Sequence, residues 1–286
     1  MYPARLATPR TGLWKAAQVN AALGNLMRSP LGVRAQLSPS LARLTAARDP
    51  ATRPLRRALA TTMANRVPAA ERAWIERIEA RRESLAADDE STGGAFDPGT
   101  KGRDGLFSGG DETTTVAAAA TMLSLSRPWC TFLMRMIREL RPASCLELGS
   151  GFGVSAAYQA AALELNGAGR LTTMEGAESM ATHARETLDS LGLGSTGLVV
   201  GPLAETLPAE AERARPIDFA FIDAEHQAAA TLEHFRTMAP ALAAGAVLVF
   251  DDVNWDEMKP AFAEIGRDER VAASYAAGRL GLVLVR

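Results

Sequence analysis

Cysteine is nearly missing from this chain: 286 residues hold two, Cys130 and Cys145. They show neither the paired spacing of a metal site nor the numbers of a disulfide framework, which suits a reducing, cytoplasmic compartment. Both are expected to serve as packing residues, the usual fate of a free thiol. Long apolar runs are also missing, since none approaches the ~18 residues of a membrane span. We read no charged-then-apolar leader either. Acidic residues are scarce in one region only: residues 1 to 82 hold 4 Asp and Glu against 15 Lys and Arg.

That local scarcity is hidden in the net charge of −2, because the first 82 residues carry +11 and the remainder −13. An Arg-rich, acid-poor start can be a nucleic-acid arm, a membrane-surface element or a transit peptide. It can also be a solvated helical appendage docked on an acidic domain or on a partner subunit. We take the appendage as the expectation, because the arginines are scattered and few aromatics stand among them for base stacking. The hydrophobic fraction of 47% and charged fraction of 22% suit a globular protein with one large domain plus an appendage.

Along the chain, Pro3, Pro9, Pro30, Pro39, Pro50 and Pro54 break the first 67 residues into short pieces. "VPAAERAWIERIEARRESLAADD" reads as a helix, with Pro68 in its first turn and Trp74, Ile75, Ile78 and Leu85 as an apolar stripe. Seven glycines between Ser91 and Gly110 mark a linker or a lid. "SRP" then opens a helix to about Leu140, with Ser126 as candidate N-cap. From there apolar runs at 144–148, 170–174, 196–200, 217–222 and 246–250 alternate with helical stretches. This predicts an α/β fold with a doubly wound, mostly parallel sheet. "RVAASYAAGRLGLVLVR" closes the chain as a hairpin around "AAGR", and so with an antiparallel strand. The expected organisation is a basic helical extension over 1–90, the linker or lid over 91–112, and an α/β domain over 113–286.

The chemistry gathers at the strand ends. "CLELGSGFGVSAAYQAAALEL" crowds Gly149, Gly151 and Gly153 into a strand-to-helix turn, where missing side chains let a ligand approach the backbone. The dinucleotide pattern G-x-G-x-x-G is not met, for the third glycine comes one place early. Counted from the acidic residue of the strand, the pattern is E-x-G-x-G-x-G, from Glu147 to Gly153. "LTTMEG" ends the second strand on Glu175, 22 residues beyond Gly153, where a carboxylate can accept both ribose hydroxyl hydrogens. "FIDAEH" and "VLVFDDVNW" put Asp223, Asp251 and Asp252 at the ends of the fourth and fifth strands.

On these motifs residues 113 to 286 resemble the class I S-adenosylmethionine-dependent methyltransferases. More narrowly, they are similar to the catechol/caffeoyl-CoA-type O-methyltransferases and their bacterial relatives. The resemblance implies a seven-stranded sheet whose last strand is antiparallel. It implies that Gly149, Gly151 and Gly153 line the methionine part of S-adenosylmethionine, that Glu147 orients their loop, and that Glu175 takes the ribose. Pro202 in "GPLAETLP" stands where many relatives carry an acidic or polar residue.

Three aspartates from neighbouring strands would make a hard-oxygen site suited to Mg²⁺ or another divalent cation, which lowers the pKa of a bound hydroxyl. Asp223, Asp251 and Asp252 are therefore candidate metal ligands. The competing reading has Asp251 or Asp252 capping a helix near Asp256 and Asp223 contacting the cofactor. His226, three residues after Asp223, is a candidate base for the acceptor proton, with Asp223 as its catalytic neighbour. His183 and His234 fall inside helical patterns and read as structural. The expected activity is O-methylation of a small-molecule hydroxyl (phenol, catechol or sugar-like) by a homodimer, with neither nucleic acid nor membrane as partner. RNA or protein methylation is disfavoured because "DAEH" stands where nitrogen methyltransferases carry an Asn/Asp-Pro-Pro-aromatic tetrad. The remaining alternatives to this metal-assisted reading are a metal-free small-molecule methyltransferase, a non-catalytic scaffold and an NAD-binding oxidoreductase.

Overall fold

Each inner strand alternates two sets of apolar side chains, and the alternation decides the layers. In the computed structural model, which describes residues 29–46, 50–64, 66–92, 115–193 and 196–286, Cys145, Phe219, Phe221, Val247 and Val249 face one side of the sheet. Their neighbours Leu146, Ala220, Ile222, Leu248 and Phe250 face the other. Successive side chains on a strand point to opposite faces, so strands buried on both sides must be apolar almost throughout. That explains the near-continuous runs in the sequence.

The seven strands are β1 (Ser144–Leu148), β2 (Arg170–Glu175), β3 (Gly197–Val200), β4 (Ile217–Ile222), β5 (Leu242–Phe250), β6 (Val271–Ala277) and β7 (Leu280–Val285). They form one sheet in the order β3-β2-β1-β4-β5-β7-β6, with β7 antiparallel to both of its neighbours. β5 starts at Leu242, earlier than the apolar run alone suggested. The order reverses direction between β1 and β4, which creates the crevice at the carboxyl ends where ligands of open α/β sheets bind.

Ten helices are described: α1 (Pro30–Ala46), α2 (Arg53–Ala64), α3 (Ala69–Ala86), α4 (Val116–Leu123), α5 (Arg127–Leu140), α6 (Val154–Asn166), α7 (Glu178–Leu191), α8 (Leu203–Arg213), α9 (Ala228–Met238) and α10 (Met258–Ile265). One face of the sheet is covered by α8, α9 and α10 through Leu207, Phe235, Met238 and Ile265. The other is covered by α5, α6 and α7, and the N-terminal helices add to that layer. Leu37, Leu55, Leu59, Ile75 and Ile78 share one core with Trp129, Phe132 and Tyr158. The glycine-rich stretch expected to act as a linker or lid lies, from 93 to 110, outside the described residues.

Several N-terminal arginines have internal work. The Arg77 guanidinium donates to the Leu191 carbonyl at 2.6 Å, at the C-terminal end of α7 where a cation offsets the helix dipole. Arg81 reaches Thr187 and Glu186 on the same helix, and Arg82 donates to the Leu125 carbonyl at 2.9 Å. A buried pair joins Glu71 of α3 to Arg135 of α5. Ser126 takes the N-cap position of α5 in extended backbone, without a capping hydrogen bond from its side chain. Neither Asp251 nor Asp252 caps a helix, because α10 begins only at Met258, with Glu257 before it. Both thiols are buried, and burial pushes that of Cys130 up to about 12, as suits packing residues.

Candidate active site

The glycine turn joins β1 to α6, and its three glycines have three different reasons. All take left-handed backbone, at φ +88° (Gly149), +50° (Gly151) and +80° (Gly153). A Cβ on Gly149 would lie 2.1 Å from the Asp223 carbonyl oxygen, and one on Gly153 would lie 2.9 Å from the backbone of Ala184. These two permit close packing of the chain on itself. Only Gly151 would carry its Cβ into open space, toward the cavity. The sequence reading gave all three to the ligand; Gly149 and Gly151 line the cavity, while the crowding at Gly149 and Gly153 adds a packing duty.

The cavity beside this turn has a volume of about 550 Å³ and is floored by Gly149, Ser150 and Gly151, with Glu175, Asp223 and His226 on its walls. Glu175, at the end of β2, holds the turn directly: its carboxylate accepts from the Gly151 amide at 2.7 Å and from the Ala177 amide at 3.0 Å. The same carboxylate lines the cavity, at a strand end where an acidic side chain can accept from ribose hydroxyls. Ser150 is buried, and its hydroxyl has no partner among the described residues although it lines the cavity. An orphaned buried hydroxyl, a glycine open to the cavity and a wall carboxylate together fit a polar ligand with a ribose. Pro202 and Leu203 give the opposite wall an apolar surface.

Glu147 does not reach the cavity. It lies fully buried on the α6 side of β1, accepting from Gln159 Nε2 at 2.6 Å and Thr173 Oγ1 at 2.5 Å. Burial raises its carboxyl to about 7, against the lowering effect of those bonds. It ties β1 to β2 and to α6, and so supports the turn from behind.

The aspartates meet because β4 and β5 are neighbours, with Ile222 opposite Phe250. The ladder continues past the strand ends: the Asp223 amide donates to the Leu148 carbonyl and the Asp251 amide to the Ile222 carbonyl, both at 2.9 Å. Asp223, Asp251 and Asp252 are thus drawn into one group, as expected. What sits among them was not foreseen. Arg279, from the turn between β6 and β7, donates from Nε to Asp251 Oδ1 at 2.6 Å and from Nη2 to Asp251 Oδ2. The same Nη2 lies 2.8 Å from Asp252 Oδ1. The Asp252 amide donates to Asp251 Oδ1 at 2.8 Å, so Asp251 is satisfied from several sides.

This arrangement does not fit a divalent cation. Mg²⁺ needs near-octahedral oxygen ligands with free lone pairs, and here a guanidinium forks onto Asp251 and reaches Asp252. A second cation would meet its charge at contact distance. Among the described residues no group of three or more His, Cys, Asp or Glu is arranged to hold a metal. The carboxylates expected to ligate a metal hold the Arg279 guanidinium in this structure.

His226 stands over the group, with Nε2 3.7 Å from Asp223 Oδ1 and Nδ1 3.7 Å from Asp252 Oδ2. Its ring tilts against Trp255 at 5.4 Å. Burial holds the imidazole below the ordinary histidine range; Asp251 pulls it up and Arg279 pushes it down. Asp223 is held well above the usual carboxylate range, first by burial and then by the charge of Asp251, with Arg279 opposing. Of the four non-glycine residues with positive φ among the described residues, three are here: Glu225 at 59°, His226 at 41° and Asp252 at 51°. Each costs on the order of 1–3 kcal/mol, a strain that concentrates where side chains must be aimed. His183, on α7, packs against Phe152, and His234, on α9, lies 3.8 Å from the Glu225 carboxylate.

Comparison with known proteins agrees with this geometry. Residues 146–253 match a family model described as a methyltransferase domain. No curated protein matches the chain. Among solved structures, the O-methyltransferase TomG from Streptomyces achromogenes, in complex with S-adenosylmethionine, is 26% identical over 57% of this chain and 82% of its own, at a TM-score of 0.50. An O-methyltransferase from Bacillus cereus, in complex with S-adenosylhomocysteine (SAH), is 22% identical over 59% and 86%, at 0.51. The SAH-bound methyltransferase PaMTH1 from Podospora anserina covers more, 80% of this chain and 93% of its own, at 18% identity and 0.55. Residues 146–253 are therefore similar to a methyltransferase domain, on a fold shared with S-adenosylmethionine- and SAH-bound O-methyltransferases.

Proposed function

We propose that this enzyme methylates the hydroxyl of a small molecule, with His226 as the base. The supporting observation is the position of His226, on the wall of the cofactor cavity and beside two aspartates. When bound, S-adenosylmethionine supplies an electrophilic methyl group on a sulfonium centre. Gly151, Ser150 and Glu175 would hold it, and Pro202 and Leu203 would pack against its apolar parts. A hydroxyl is a poor nucleophile until its proton leaves, so a neutral imidazole within reach contributes directly. Nε2, on the side of the cavity-lining Asp223, would take the proton, while Asp252 beside Nδ1 orients the ring and favours the imidazolium that forms. The elevated Asp223 carboxyl limits the negative charge close to the proton-accepting nitrogen.

A panel of phenols, catechols and sugar hydroxyls, offered with labelled S-adenosylmethionine, tests the reading. The expected result is transfer of label to oxygen in at least one of these classes, with none to RNA or protein. Label recovered in RNA or protein, or on nitrogen, would overturn the small-molecule assignment.

A further inference from the structure

We propose that Arg279 is a built-in substitute for a divalent cation: its guanidinium occupies the carboxylate group and fixes Asp252 beside His226. The proposal rests on the reading of this cavity as a methyl-transfer site, and its test does not depend on activity. Carboxylates drawn together at strand ends repel one another, and a cation among them relieves that repulsion. The chain supplies that cation itself. Arg279 makes a two-pronged contact with Asp251 and a third with Asp252. The planar fork matches a carboxylate in a way that a metal aquo-ion or a lysine does not.

The placement is set by the fold. β5 and β7 pair antiparallel with Phe250 opposite Gly281. Two residues further along the same register bring Asp252 opposite Arg279, and the Val253 amide indeed donates to the Arg279 carbonyl at 3.0 Å. The hairpin turn is kept tight by Gly278 at φ +68°, whose Cβ would collide with Gln36 and Trp129. The arginine is thus delivered by backbone pairing, and only 22% of its side chain is exposed. It stays charged, because the three aspartates outweigh the burial that opposes its charge. Arg279 does not touch the cavity. It is a positioning residue, acting on His226 through Asp252.

Manganese titration followed by electron paramagnetic resonance tests this without any acceptor. The wild-type protein, with SAH present, should leave the aqueous Mn²⁺ signal undiminished. Arg279→Ala removes the guanidinium and should gain about one Mn²⁺ per chain, lost again when Asp251→Asn is added. Arg279→Lys keeps a cation in place and should stay as indifferent to Mn²⁺ as the wild type, which guards against an Arg279→Ala protein that simply unfolds. SAH binding reports the fold of each variant. Stoichiometric Mn²⁺ bound by the wild type or by Arg279→Lys would overturn the proposal, and so would a folded Arg279→Ala that binds none. Loss of SAH binding by the wild type would instead sink the methyl-transfer reading and leave the metal result standing.

Discussion

Replacing His226 with alanine should lower turnover by ~10²–10⁴-fold, the range set by losing a positioned general base, while SAH binding stays unchanged. The ring lies on the cavity wall beside Asp223, and the loop that carries it already pays for left-handed backbone at Glu225 and His226. The pH profile adds a sharper sign. Burial lowers the imidazole pKa, so the neutral, competent form persists to more acidic pH than for a free histidine. Turnover should therefore be flat through neutrality and fall only on the acid side, below the ordinary histidine value. His226→Gln should abolish that acid limb along with most of the rate. A steady-state profile measured with cofactor saturating checks both. An unchanged rate in His226→Ala would remove the base from the account.

The second large effect is structural, and it distinguishes glycines that look alike in the sequence. Gly149→Ala would force a methyl group to 2.1 Å from the Asp223 carbonyl oxygen, at a φ that alanine resists. That carbonyl belongs to the strand end carrying the acidic group and cannot withdraw without breaking the β1–β4 ladder. A loss of roughly 4 kcal/mol or more is expected, in the class of severe backbone and packing insults, and comparable with the whole stability of many domains. Gly151→Ala meets nothing within 4 Å. It should cost only ~1–2 kcal/mol of stability for the left-handed backbone, while weakening cofactor binding because its methyl group enters the cavity. Thermal denaturation and SAH titration of the two variants separate the roles. Equal effects in both would contradict the division.

Much of this could be read from local pattern. Alternating apolar runs fix a parallel sheet whatever the tertiary detail, because strands buried on two faces have no other composition available. The turn after β1, the carboxylate closing β2 and the aspartates closing β4 and β5 follow from sequence, since ligands of such sheets gather at the carboxyl ends. Arg279 was different. The hairpin around "AAGR" was legible, but its arginine meets Asp251 and Asp252 only through the β5–β7 register, a pairing between segments 28 residues apart. Nothing local marks that contact. The duties of Gly149 and Gly153 were hidden for the same reason: their crowding partners, Asp223 and Ala184, are remote in sequence. The orphaned hydroxyl of Ser150 is likewise visible only once burial is known.

The central claim is that the cavity beside the glycine turn holds S-adenosylmethionine with Glu175 on its ribose, and calorimetric titration of SAH tests it most directly. The wild type should bind SAH, and NAD should fail to compete. Glu175→Ala should weaken SAH binding by ~1.5–3 kcal/mol, the worth of hydrogen bonds to a charged group, through loss of both the ribose contact and the bond that holds the Gly151 amide. Tight NAD binding without SAH binding, or a Glu175→Ala protein that binds SAH as tightly as the wild type, would contradict it.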